Sequence, residues 1–79
     1  MSDLVVRART DREAFGQLYD ANYPRIFRYC LRRLFIRAVA EDATSEVFLR
    51  VASKMRQFAG TTEEDFRRWV YRIATNEVN

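Results

Sequence analysis

Seventy-nine residues are enough for one small domain, since a chain of this size buries only ~60% of the surface it exposes when unfolded. With 48% hydrophobic and 14% aromatic residues, two glycines and one proline, the composition excludes disordered, collagenous and linker classes, and no stretch approaches the ~20 apolar residues of a membrane span. The net charge of +3 conceals fourteen basic residues, all but Lys54 arginine, set against eleven acids; arginine offers a planar fork of donors suited to phosphates, carboxylates and stacked bases, although base content of a genome can also enrich it.

The segment from Met1 to Arg9 carries Asp3 and only the short apolar patch Leu4-Val5-Val6, too short for an export signal. A first helix is expected from about Asp11 to Asn22. Thr10 and Glu13 stand in capping-box register, and Phe15, Leu18 and Tyr19 share one face. Tyr23-Pro24 is expected to break it and to open a second helix with Phe27, Cys30, Leu31, Leu34 and Phe35 along an inner stripe and Arg28, Arg32 and Arg33 on the other side. Between Arg25 and Glu41 there is no Gly, Pro, Asn, Asp or Ser, so the next break is placed near Ile36 to Val39 on length alone.

The third helix is expected over Ala40 to Gln57, with Ala40, Val47, Phe48, Val51, Ala52 and Met55 inward. A loop, Phe58-Ala59-Gly60-Thr61-Thr62, precedes a fourth helix. Thr61 and Glu64 stand in capping-box register there, and Glu63, Glu64 and Asp65 complement the dipole of the first turn, a structural role favoured over a metal or catalytic one. Phe66, Trp69, Val70, Ile73 and Ala74 face its core side. Since no segment alternates apolar and polar residues for long, the chain reads as all-α, a compact bundle of three to four helices forming a single domain over residues 1–79.

With no histidine and only Cys30, the chain has no parts for an internal disulfide, a zinc site or a Cys-His nucleophile pair. No metal, cofactor or catalytic residue is expected, and a reducing cytoplasm is the natural setting. Cys30 reads as a buried small hydrophobe.

Two helix faces are not explained by the core. In the third helix Asp42, Ser45, Glu46 and Leu49 follow at i, i+3, i+4 and i+7, so a leucine projects from an acidic face, with Arg50 and Ser53 at its edge. A single exposed leucine often carries no function, but this arrangement suits a basic partner helix as well. In the fourth helix Arg68, Tyr71, Arg72 and Thr75 share a face flanked by Arg67 and Asn76. Such a face is either solvated or built for unpaired nucleic acid, in which cations follow phosphates and flat side chains stack on bases.

Together these motifs resemble region 2 of the extracytoplasmic-function sigma factors of bacterial RNA polymerase. The resemblance rests on the run from Ala40 to Arg50, on Trp69-Val70-Tyr71-Arg72-Ile73-Ala74-Thr75-Asn76, and on the opening Phe15-x-x-Leu18-Tyr19 with Tyr23. It implies a sigma factor domain that binds core polymerase at the β′ clamp helices and recognises and melts the promoter −10 element. By position it implies that Asp42, Ser45, Glu46, Leu49 and Arg50 contact polymerase. Arg67, Arg68, Tyr71, Arg72, Thr75 and Asn76 would contact the single-stranded non-template DNA, and Phe58, Ala59, Gly60, Thr61 and Thr62 would form a pocket for a displaced base. An anti-sigma factor is a further partner of such a domain. The resemblance also implies that the chain is an N-terminal fragment of a longer protein with a helix-turn-helix domain. Three positions depart from the pattern: Ser45 stands where the family usually has Gln, Val39 replaces an acid, and Thr75 stands where a basic residue often precedes the Asn.

The rival reading is a helical protein-interaction adaptor without DNA-binding activity. A duplex-reading helix-turn-helix is disfavoured because no short Gly-containing turn joins two suitable helices, and an enzyme because neither histidine nor a Gly-rich phosphate loop is present.

Overall fold

The computed structural model describes residues 3–79; Met1 and Ser2, where the reading of the chain start begins, lie outside the described residues. Four α-helices are formed among the described residues, and no strand: α1 (Leu4–Ala8), α2 (Arg12–Leu34), α3 (Arg37–Lys54) and α4 (Glu63–Val78), with a 3₁₀ turn at Met55–Gln57. The all-α bundle expected from the hydrophobic periodicity is the fold observed.

The short helix α1 is not marked by any periodicity in the sequence. Val5 and Ala8 are buried and α1 packs on both α2 and α4, so Val5 is the part of the apolar patch that joins the core, with Leu4 half-buried against it and Val6 exposed. Asp11, not Thr10, is the N-cap of α2; its carboxylate accepts from the Glu13 amide at 3.0 Å.

Pro24 does not break α2, contrary to expectation. A mid-helix proline lacks the N–H that would bond the carbonyl four residues back and costs about 3 kcal/mol. Here both Pro24 and Asp20, whose carbonyl is released, are exposed to water, while Leu18, Asn22, Ile26 and Cys30 carry one buried stripe across the site. Packing on both sides of the proline holds the helix together, and at ~1.5 Å per residue its 23 residues match the 35 Å long axis of the molecule. Asn22 is buried but satisfied, its Nδ2 donating to the Leu18 carbonyl at 2.8 Å.

The break between α2 and α3 falls at Phe35 and Ile36, earlier than expected. Phe35 adopts a left-handed conformation, φ 68°, and its amide donates to the Leu31 carbonyl at 2.8 Å, the helix ending that glycine usually supplies. Consequently Phe35 leaves the inner stripe and is 83% exposed. The third helix begins at Arg37, and its last expected turn tightens into the 3₁₀ turn that seats Met55 in the core. Thr44 joins the core with its hydroxyl donating to the Ala40 carbonyl at 2.7 Å, whereas Ala52 is exposed.

The capping box of α4 sits one residue later than expected. Thr62 Oγ1 accepts from the Asp65 amide at 3.0 Å and Asp65 Oδ2 accepts from the Thr62 and Thr61 amides at 3.4 and 3.3 Å. Glu64 is thereby free to pair with Arg68. Phe66, Val70 and Ala74 are fully buried beneath, with Trp69 and Ile73 half-buried at the margin.

Candidate nucleic-acid interface and docking face

On α3, Asp42, Ser45, Glu46 and Leu49 lie along the outward face, Leu49 being 63% exposed. Asp42 and Glu46 have no ion-pair partner among the described residues. Arg50 is exposed as well, but its Nε bonds Glu77 at 3.1 Å and ties α3 to α4. Beside Leu49 lies a groove of about 320 Å³ lined by Phe15, Tyr19, Ser45, Phe48, Leu49 and Ala52. Phe15 and Tyr19, read from periodicity as core, are half-buried and form one wall of it, with the Tyr19 and Phe48 rings 4.6 Å apart. Their spacing alone carried a hint, because Leu18 already fills the inward position between them.

The α4 face is divided in the structure. Arg68 and Arg72 are exposed, Arg68 held by Glu64 at 2.9 Å and Arg72 without an ion pair among the described residues. Tyr71 is half-buried, edge-on to Tyr29 at 5.5 Å, and Thr75 shares a 2.9 Å hydrogen bond with the Tyr29 hydroxyl. Arg67 is turned partly inward, its Nε buried without a hydrogen-bond partner. Asn76 lies at the α3 edge, lining a hollow with Arg50, Lys54, Ile73 and Glu77. Tyr71 instead borders a groove with Arg25, Arg28, Tyr29 and Arg32 of α2, a junction that a helix-by-helix reading does not reveal.

The loop before α4 is folded back on the bundle. Phe58 stacks on Trp69 with ring centroids 4.4 Å apart and planes within 11°. Arg9 Nη2 donates to the Gly60 carbonyl at 2.6 Å. A side chain at position 60 would collide with the Phe58 ring and come within 2.8 Å of Asp65 Cβ, so glycine is required by close approach. Phe58 and Ala59 line a hollow of about 260 Å³ with Lys54, Gln57 and Trp69, while Thr61 and Thr62 commit their amides to Asp65. The Thr62 hydroxyl and these two amides hold the Asp65 carboxyl below the ordinary range.

Away from both faces, Cys30 is fully buried and burial pushes its thiol pKa up, which makes it a packing residue. Among the described residues no group of His, Cys, Asp and Glu side chains could hold a metal, and no helix is long and apolar enough to cross a membrane.

Sigma-70 region 2 matches residues 18–79, and the chain belongs to that family. It is 40% identical over 79 residues to the ECF RNA polymerase sigma factor BldN of Streptomyces coelicolor, covering 99% of this chain and 30% of that protein. To the ECF RNA polymerase sigma factor SigW of Bacillus subtilis it is 35% identical over 66 residues, 84% of this chain and 34% of that one. The chain thus spans about a third of the length of these relatives. No solved structure matches it.

Proposed function

We propose that the chain works as a sigma factor domain in transcription initiation in the cytoplasm, docking on core RNA polymerase through α3 and holding unpaired bases of the promoter −10 element with α4 and its preceding loop. The observation that carries this reading is the pairing, in one small bundle, of an acidic face around an exposed leucine and an apolar groove with a separate cationic face around Tyr71. On the docking side Leu49 and the groove supply a desolvated centre, and Asp42 and Glu46 a rim that pairs with basic residues of a partner helix, as the β′ clamp would present. Ser45, shorter than the Gln usual in the family, opens onto this groove.

On the DNA side, binding does the work of melting. Drawing a base out of a duplex costs a few kcal/mol, and each base stacked on an aromatic ring returns ~1–3 kcal/mol. Tyr71 offers one such ring, and the hollow beneath Phe58 and Trp69 a flat-walled site for another base. Arg68 and Arg72 follow the phosphates; Arg68 exchanges Glu64 for a phosphate at little cost, because an exposed pair is worth ~0–1 kcal/mol.

The test is whether the chain joins core polymerase and then retains a non-template −10 strand. Retention of the strand supports the reading. Polymerase binding without any hold on DNA would leave a protein-interaction adaptor in its place.

A further inference from the structure

The α4 face leaves a row of cations on another helix without a role. Arg25, Arg28 and Arg32 lie at i, i+3 and i+7 on α2 and, with Tyr29 and Tyr71, line a groove of about 300 Å³ between α2 and α4. All three arginines are exposed, and none has a hydrogen bond or ion pair among the described residues. Four arginines outside the row are ion-paired, Arg7 with Asp3, Arg37 with Glu41, Arg50 with Glu77 and Arg68 with Glu64, all within 3.6 Å, whereas Arg72 on the neighbouring α4 face is, like the row, without an ion pair among the described residues. Like charges at this helical spacing repel by a few tenths of a kcal/mol per pair, so the row is mildly unfavourable to the fold.

The floor of the groove is fixed. The Tyr29 hydroxyl bonds Thr75 and accepts from Arg33 Nη1, both at 2.9 Å, while Arg33 Nη2 bonds Asn79 Oδ1 at 2.6 Å. Tyr29 meets Tyr71 edge-on, so the groove ends at the same tyrosine that faces the DNA side of α4.

We propose that this groove is a phosphate track in which Arg25, Arg28 and Arg32 bind the sugar-phosphate backbone of the DNA strand whose bases α4 takes. The inference rests on the proposed function and extends it from α4 to α2. At ~1.5 Å per residue the row is about 10 Å long, which places two to three phosphates within reach at ~3.4 Å of axis per phosphate. Such contacts position a strand without reading its sequence.

The test measures binding of the chain to a labelled single strand bearing a −10 sequence, and to a scrambled one, over a range of salt. Replacing all three by Gln (Arg25→Gln, Arg28→Gln, Arg32→Gln) should weaken both strands equally and flatten the log K against log salt slope by about 1.4–2.1, at ~0.7 for each phosphate no longer neutralised. The corresponding triple Lys variant should restore the slope, and circular dichroism should show the wild-type helix content in both. A wild-type slope in the Gln variant, or a loss confined to the −10 strand, overturns the phosphate track. An Arg68→Gln, Arg72→Gln variant run alongside separates the two ideas. If that variant binds as the wild type does while the α2 variant loses both strands, the role given to α4 fails and the track stands.

Discussion

The outward faces of α3 and α4 are built on the same bundle to opposite specifications. On α3 the carboxylates of Asp42 and Glu46 have no ion pair among the described residues, and the centre is an aliphatic side chain beside an apolar groove walled by Phe15, Tyr19 and Phe48. On α4 the charged groups are arginines, and the centre is an aromatic ring whose other edge is already packed on Tyr29. An apolar centre with a charged rim fits a protein partner, whose docking buries the centre. A flat ring among cations fits a polyanion with exposed bases. The difference teaches that charge sign alone does not define either face; what sits between the charges does.

The largest effect should come from Leu49→Arg, which places a charge in the desolvated centre of the docking face. It should cost core polymerase binding about 2 kcal/mol or more, roughly 30-fold, while leaving DNA binding by the free chain intact; a polymerase titration checks the first and a strand titration without polymerase the second. Next comes Tyr71→Ala, which should reduce the preference for opened over duplex DNA about tenfold at ~1–3 kcal/mol per stacked base. Tyr71→Phe should retain it, since the ring remains. A comparable loss of polymerase binding in Tyr71→Ala would merge the two faces into one.

Smaller effects sharpen the contrast between the ends of the two helices. Thr62→Ala removes the α4 cap and should cost about 1 kcal/mol, lowering Tm by roughly 4–8 °C for a domain of this size. Because the same box depresses the Asp65 pKa, its contribution is fully present above the ordinary Asp value of ~3.9 and is lost as pH falls through the lowered folded value. Wild-type stability should therefore fall more steeply at the acid end than that of Thr62→Ala, as acid titrations followed by circular dichroism would show. The smallest change runs the other way. Phe35→Gly relieves a left-handed backbone at an exposed position and should raise stability by about 0.5–1 kcal/mol once glycine's greater unfolded entropy is counted, a gain that urea unfolding would measure.

Much of the fold was legible because helical periodicity is local. The buried rows of α3 and α4 follow from 100° steps, and the loop before α4 is marked by Gly60. What escaped was decided by tertiary context. Pro24 ends an isolated helix but not one held by Leu18, Ile26 and Cys30, and Phe35 carries no sign that it ends a helix in glycine's usual conformation. Leu4-Val5-Val6 was too short to announce a helix, yet it packs on two others. For the candidate faces, one-helix arithmetic found Leu49 and Tyr71, but not the groove wall from Phe15 and Tyr19, the arginine row beside Tyr71, or the bond from Arg9 to the Gly60 carbonyl. Spacing within α2 put Arg28 and Arg32 on its outer side, but their meeting with Tyr71 of α4, like that of Phe15 and Tyr19 with Leu49 of α3, joins different elements and is set by packing.

The separation of the two faces is tested most directly by one anisotropy experiment with a labelled non-template −10 strand and core polymerase, run on the wild type, Glu46→Lys and the Arg68→Gln, Arg72→Gln pair. Two independent faces predict that Glu46→Lys joins polymerase less tightly yet binds the strand as the wild type does, and that the arginine pair joins polymerase as the wild type does but holds the strand less tightly. Loss of both partners by either folded variant, or retention of both by each, would contradict it.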